Sequence, residues 1–245
     1  RTDGHSKSWL NSDGTWNATR IKTVLDNVSP NCQQIMITIP KWSPTLATGS
    51  AKLPADKHTA FANWCAELVN IVRVQNNYTK VVYFEVLNEM DGVYNGDSAG
   101  LASLFKKCSS AMRAKHSGIK IAGGAWTQAW DDADMQAFLD NVTSTDMQAF
   151  TYHHYGTGNT STNVADLYNK AEAVGERTST IRGWMNDRGH SSTALFLGET
   201  QMFTNWDLDT QNYMSSHRGG VWLALAFRSA SLRRVNGATA IDRFV

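Results

Sequence analysis

Apolar residues along the chain follow two alternating patterns, short continuous runs and longer stretches with helical spacing. In the helical stretches apolar residues recur three and four positions apart, as Phe61, Trp64 and Leu68 do. The continuous runs are each typical of a buried strand and cover residues 33–39, 81–87, 119–122, 147–152 and 193–197. Strands that alternate with helices in this way predict βα units and a parallel sheet.

The ends of the chain extend the same alternation. A helical pattern over residues 15–28 predicts that residues 1–5 end an earlier strand, and residues 237–241 predict an eighth strand. A doubly wound sheet would give the same order, but no Gly-rich phosphate loop follows any strand. We therefore predict an α/β fold, a (β/α)8 TIM barrel that is incomplete at both ends in this chain, as one catalytic-type domain over residues 1–245.

Composition and charge exclude several kinds of partner. The 245 residues are 42 % hydrophobic and 18 % charged, with a formal net charge of +1. A nearly neutral chain is not expected to bind nucleic acid or an anionic membrane. No apolar run approaches the roughly 20 residues that span a bilayer. The three cysteines lack zinc-site spacing, and we expect neither a metal nor a cofactor.

Five asparagines begin Asn-x-Ser/Thr triplets without proline, which are acceptor sites for N-glycosylation. They predict a secreted, extracellular glycoprotein. One of them follows the sixth strand and so belongs to the face where a barrel carries its active site. The five are Asn17, Asn27, Asn77, Asn141 and Asn159.

Two glutamates follow strands at equivalent ends. Counting residues 1–5 as the end of the second strand, Glu89 follows the fourth strand and Glu199 the seventh. Active sites of parallel barrels lie at the carboxyl ends of the strands, where the two could face each other. Glycoside hydrolysis needs such a pair, and carboxyl groups about 5–5.5 Å apart give retention of configuration. We predict a separation within about 6 Å.

Three motifs on these strands resemble a known group of enzymes. Residues 84–89, Phe-Glu-Val-Leu-Asn-Glu, resemble the Asn-Glu motif of the clan A glycoside hydrolases. Gly198-Glu199 is similar to the nucleophile strand of that clan, and His153-His154-Tyr155 on the sixth strand fits it too. The similarity is closest to families 39 and 5 and extends over nearly the whole chain. Asn-Glu alone is a weak motif, but the three together are specific.

The resemblance implies a retaining β-glycoside hydrolase. Its substrate would be a β-linked poly- or oligosaccharide, cleaved by double displacement through a covalent glycosyl-enzyme. Glu89 would be the acid/base and Glu199 the nucleophile. Asn88 would hydrogen-bond the 2-hydroxyl of the sugar, while His153 and Tyr155 would orient the nucleophile and the bound sugar.

Other residues are expected to contact the sugar from the loops. Arg1 and His5 fall where such enzymes place contacts to the first sugar. Exposed tryptophans after the third, fifth and seventh strands could stack on sugar rings, whose C–H faces pack on aromatic rings. These tryptophans are Trp42, Trp126, Trp130 and Trp206.

The sequence departs from the pattern of the clan at two positions. Met90 stands where proline usually follows Asn-Glu, and no tryptophan ends the eighth strand before Val245. A catalytically inactive carbohydrate-binding or structural barrel is therefore an alternative. A partner chain or missing segments could complete the barrel in either case.

A metal-dependent barrel hydrolase is the third hypothesis. It would use His5, His153 and Glu199 as ligands. The sequence lacks the His-x-His or His-Glu-x-x-His spacing that such sites usually show.

Overall fold

The computed structural model describes residues 9–48, 51–127, 132–158 and 163–245. The described residues fall into two compact units, one within 1–124 and 131–148 and the other within 125–130 and 149–245. Strands and helices alternate along the chain as the sequence predicts. In chain order the elements are α1 (Ala18–Val28), β1 (Ile35–Ile39), α2 (His58–Val69), β2 (Val81–Val86), α3 (Ser98–Lys115), β3 (Lys120–Trp126), α4 (Asp132–Asn141), β4 (Ala149–Thr157), α5 (Val164–Asp187), β5 (Ala194–Phe203), α6 (His217–Leu232), β6 (Arg234–Val235), β7 (Ala238–Thr239) and β8 (Arg243–Phe244).

Three parallel strands form the sheet of the first unit. β2 lies between β1 and β3, with Thr38 aligned to Glu85 and Glu85 aligned to Ala122. A strand with a partner on each side is buried along most of its length, which explains why β2 is apolar at every position except Glu85. Phe84 is fully buried within it.

Among the helices whose preceding residue the structure describes, four have an N-cap side chain that accepts a backbone N–H of the first turn. Such caps satisfy donors that the helix itself leaves unpaired, and each contributes about 1 kcal/mol. The capping residues are Asn17 for α1, Asp97 for α3, Asn163 for α5 and Ser216 for α6.

The second unit is built on β4, β5 and β8, with α5 packed on α6. Gly175 allows close approach of the two helices, because an added Cβ would lie 2.3 Å from Ser229 Oγ. Trp222 of α6 is fully buried, and its indole N–H donates to the Leu167 carbonyl at 2.7 Å. Arg182 of α5 is buried, and its guanidinium donates to Asp242 Oδ2 at 2.6 Å. Asp242 directly precedes β8.

The predicted eighth strand at residues 237–241 is wrong in position. Ala238–Thr239 pairs antiparallel with Arg234–Val235, and the parallel partner of β5 is Arg243–Phe244. Asn236 and Gly237 have φ values of +52° and +81°, as the central residues of a tight hairpin turn require. This Asn-Gly pair is the sequence signal that the prediction overlooked.

Two strands run further than their apolar cores indicate. β4, which was predicted as the sixth strand, continues to Thr157. β5, which was predicted as the seventh strand, continues to Phe203. Polar residues therefore occupy the carboxyl halves of both strands. Residues 1–5 lie outside the described residues, and the single domain over 1–245 stays a prediction. Among the described helices, none has the length and hydropathy needed to cross a membrane.

Candidate active site

The chain that carries Asn88 and Glu89 continues along β1 after β2 has ended. The Leu87 N–H donates to the Ile39 carbonyl at 2.8 Å, and the Asn88 N–H donates to the Pro40 carbonyl at 3.1 Å. Both bonds prolong the parallel ladder beyond Val86. The half-buried Asn88 and Glu89 are thereby fixed at the carboxyl end of the first unit's strands.

Backbone conformation directs Glu89 at this point. Leu87 and Glu89 have φ values of +70° and +52°, in the left-handed region that side-chain-bearing residues rarely adopt. Each such residue costs on the order of 1–3 kcal/mol and persists only where the surroundings enforce it. Leu87 is 2 % exposed, so its packing in the core holds the backbone in this conformation. Strain of this kind is typical of functional sites.

Glu199 lies inside β5 next to two polar residues of β4. Tyr152 is aligned with Leu197, but His153 is aligned with Glu199, so Gly198 is an extra residue on β5. A bulge of this kind re-aims the side chain that follows it. Because aligned residues of parallel strands point to the same face, Glu199 shares a face with His153.

Side chains from β4 hold the Glu199 carboxylate. The Tyr155 hydroxyl donates a hydrogen bond to Glu199 Oε2. His153 Nε2 lies 3.9 Å from Glu199 Oε1. The His153 side chain is 1 % exposed and that of Glu199 is 46 % exposed. The carboxylate is thus open to solvent on one side, and on the other it is held by a hydroxyl and lies near a buried ring.

Gly198 contributes to this arrangement through its missing side chain. A Cβ at this position would lie 3.3 Å from His153 Nε2. That is closer than ordinary van der Waals contact, so the imidazole would have to move away. The glycine of the Gly-Glu motif therefore leaves the space that the His153 ring needs beside Glu199.

His154 points to the opposite face, as expected for a packed histidine. It is 4 % exposed, and its carbonyl accepts a hydrogen bond from Thr200 Oγ1 at 2.6 Å. Burial lowers the pKa of His154 to about 4, and the positive charges of Arg177 and Lys170 act in the same direction. The ring is therefore neutral at physiological pH.

The tryptophans expected as exposed sugar platforms are not exposed. Trp42 and Trp126 are 2 % and 1 % exposed, and Trp42 packs edge-on against Phe61 with ring centroids 6.4 Å apart. The expectation of open ring faces is wrong for both because their large apolar rings are used in packing. Trp206 begins a short 3-10 turn, and its side chain lies outside the described part of the chain, as do Arg1, His5 and Trp130.

The glycosylation triplets lie where the sequence predicts, at helix ends or in loops. Asn17 precedes α1, Asn27 lies in the last turn of α1 and Asn141 ends α4. Asn77 is exposed in the loop before β2, with a φ of +51°. Asn159 lies outside the described residues. Occupancy of these sites stays a prediction.

One polar residue on the face of Glu199 was missed from the sequence. Gln201 is aligned with Tyr155 and follows Glu199 by two positions. The predicted apolar run ends at Leu197 and does not reach Gln201. Had the strand been extended, its two-residue alternation would have placed Gln201 on the same face as Glu199.

Similarity to known proteins is found in structure and not in sequence. No protein-family model and no curated protein matches the chain. A glucosidase from Croceicoccus marinus matches with a TM-score of 0.66 and 14 % identity, over 95 % of this chain and 46 % of that one. A bacterial orthologue of human α-L-iduronidase matches with a TM-score of 0.72 and 14 % identity, over 96 % of this chain and 40 % of that one. A family 39 β-xylosidase from Caulobacter crescentus matches with a TM-score of 0.64 and 17 % identity, over 94 % of this chain and 49 % of that one.

The chain has the fold of these glycoside hydrolases. The predicted fold class, part of an α/β barrel, and the predicted resemblance to clan A enzymes, including family 39, are confirmed. The chain spans less than half the length of each of the three structures. Identities this low establish the fold alone, so activity must be argued from the residues.

Proposed function

We propose that this chain carries the catalytic groups of a retaining β-glycoside hydrolase. The observation that supports this best is the surroundings of Glu199, a solvent-open carboxylate held by the Tyr155 hydroxyl next to buried His153. A nucleophile needs a carboxylate oxygen in a fixed position, and a hydroxyl that donates to the other oxygen fixes the group. The strained conformation of Glu89 at another strand end supports a second functional carboxyl group.

The reaction begins with attack by Glu199 on the anomeric carbon. A bond forms between that carbon and a carboxylate oxygen of Glu199 while the bond to the glycosidic oxygen breaks. Glu89 gives its proton to the departing oxygen, so the aglycone leaves as an alcohol. The product of this step is a glycosyl ester on Glu199 and a Glu89 carboxylate.

Water completes the cycle in the second step. Glu89 takes a proton from water as the water oxygen attacks the anomeric carbon, and Glu199 leaves as a carboxylate. Two inversions at one carbon give net retention. Asn88 would bind the sugar 2-hydroxyl, a contact that strengthens as positive charge develops on the ring.

Neutral β-linked sugars are the substrates to test first. The similar structures include β-xylosidases and fungal β-1,4-galactanases, whose substrates are built from neutral sugars.

We also propose that the protein is secreted and N-glycosylated, which mass spectrometry before and after enzymatic deglycosylation would test. Because Asn159 follows the sixth predicted strand, a glycan attached to it would favour a non-enzymatic role.

Product stereochemistry decides the mechanism. A screen of β-linked polysaccharides and aryl β-glycosides, with products followed by NMR, should give the β-anomer first. An initial α-anomer would contradict the double displacement. The second candidate is an inactive carbohydrate-binding barrel, since Met90 stands where proline usually follows Asn-Glu in the clan that the chain resembles. Saturable binding of an oligosaccharide without turnover would support it.

A further inference from the structure

Gln201 is placed to meet whatever binds at Glu199. The two residues are separated by one position on β5, and a strand rises about 3.3 Å per residue, so their Cα atoms lie about 7 Å apart on one face. Gln201 lies on the carboxyl side of Glu199, toward the end of the strand where barrel enzymes bind substrate. Its partner in register is Tyr155, which itself contacts Glu199.

A rigid part of the sheet presents this side chain. Pairing between β4 and β5 continues past Gln201 to Thr157 and Phe203. The Thr204 N–H extends the ladder by donating to the Thr157 carbonyl at 3.0 Å. Binding groups on strands are positioned more accurately than groups on loops.

Among the residues that the structure describes, the polar neighbours of Gln201 make hydrogen bonds, whereas its own side-chain amide makes none. Tyr155 donates to Glu199, and the Thr200 hydroxyl donates to the His154 carbonyl. Within the described residues the Gln201 side chain makes no hydrogen bond, and it is half-buried. An amide in this setting keeps both its N–H donors and its carbonyl acceptor for a ligand.

We propose that Gln201 is a specificity-determining residue that binds hydroxyl groups of a neutral sugar beside the anomeric centre attacked by Glu199. This inference rests on the proposed function. A neutral amide can donate to one hydroxyl and accept from the adjacent one, and it brings no charge that would have to be desolvated. The same amide offers no positive charge to a sugar carboxylate, so it favours neutral sugars over uronic acids.

The test compares Gln201→Ala with wild-type protein on 4-nitrophenyl β-xyloside, β-glucoside and β-galactoside. A lost neutral hydrogen bond costs about 1.4 kcal/mol, so kcat/KM on the best of the three should fall about 10-fold, mainly through KM. The ratio of kcat/KM between the three sugars should also change. The pH profile should stay as in wild type. Gln75→Ala is the control, since Gln75 is exposed before β2 and should leave all values unchanged.

Unchanged kcat and KM in Gln201→Ala on all three glycosides would overturn the inference while leaving the proposed function standing. If wild-type protein cleaves none of the three glycosides, the proposed function fails on these substrates. The inference about Gln201 is then tested by oligosaccharide binding instead of turnover. Xylobiose titrated by calorimetry should then bind about 10-fold more weakly to Gln201→Ala than to wild type. Equal affinity, or no binding to either protein, would overturn it.

Discussion

Glu89 and Glu199 are held in place by different physical means. Glu89 is directed by its backbone, through two left-handed residues and two bonds that extend the ladder with β1. Glu199 follows a bulge on β5, and its carboxylate is held by a side chain, the Tyr155 hydroxyl, next to the His153 ring. The arrangement at Glu89 fixes the backbone that carries the side chain, whereas the arrangement at Glu199 fixes the carboxylate group itself.

This difference matches the roles that we propose for the two groups. An acid/base must give a proton to the departing oxygen and then take one from water, so its carboxyl group must be directed toward both. A nucleophile must keep one orientation, which a hydrogen-bond donor provides. Changes to each glutamate and its supports should therefore have distinguishable consequences.

Replacing the two glutamates should give the largest effects. Glu199→Gln should lower turnover by about 10⁴-fold or more on every substrate, because no ester can form. Glu89→Ala should spare the first step on aryl glycosides whose leaving groups need no proton. Added azide should restore its turnover by attacking the glycosyl-enzyme, giving a β-glycosyl azide detectable by NMR. Near-normal activity in Glu199→Gln would show that the nucleophile is another residue.

Acid should destabilise the second unit through His154. Its pKa is about 4 in the folded protein and near 6.5 when unfolded, so the unfolded state binds more protons between these values. The contribution is fully present above pH 6.5 and is lost as the pH falls toward 4, by about 3 kcal/mol of unfolding free energy. His154→Gln should flatten urea-unfolding free energies over this range.

A matched histidine provides the control for this effect. His217 is exposed at the start of α6, so His217→Gln should keep the wild-type dependence on pH. An identical slope in wild type, His154→Gln and His217→Gln would contradict the assignment to His154.

Removing the hydroxyl that holds Glu199 should have an intermediate effect on catalysis. Hydrogen bonds to charged groups contribute about 1.5–3 kcal/mol, so Tyr155→Phe should lower kcat by about 10- to 100-fold. A change in KM alone would assign Tyr155 to sugar binding instead.

Crowding His153 should have the smallest effect. Gly198→Ala places a Cβ 3.3 Å from His153 Nε2, so the ring must shift by a few tenths of an ångström. We expect kcat to fall several-fold with little change in Tm. Gly183→Ala in α5 meets no atom within 4 Å and should leave kcat unchanged. Equal kcat values in the two variants would argue against a role for the bulge.

The spacing of apolar residues predicts the strands and helices, but it does not predict places where one or two residues change the direction of the backbone. The buried runs of β2 and β4 and the helices between them follow from spacing alone. The bulge at Gly198 and the left-handed Leu87 have no periodic signal, because tertiary packing enforces them. Trp42 was misjudged because its place after a strand indicates a loop but not whether its ring is buried.

Covalent trapping tests the central claim most directly. A 2,4-dinitrophenyl 2-deoxy-2-fluoro-β-glycoside forms the glycosyl-enzyme but slows its hydrolysis, since the fluorine destabilises the oxocarbenium-like transition states and the good leaving group speeds only the first step. Mass spectrometry of the digested protein should find the fluorosugar on the peptide that contains Glu199, and none in Glu199→Gln. Fluorosugar on any other residue, or no adduct in a protein that cleaves the parent glycoside, would contradict the account.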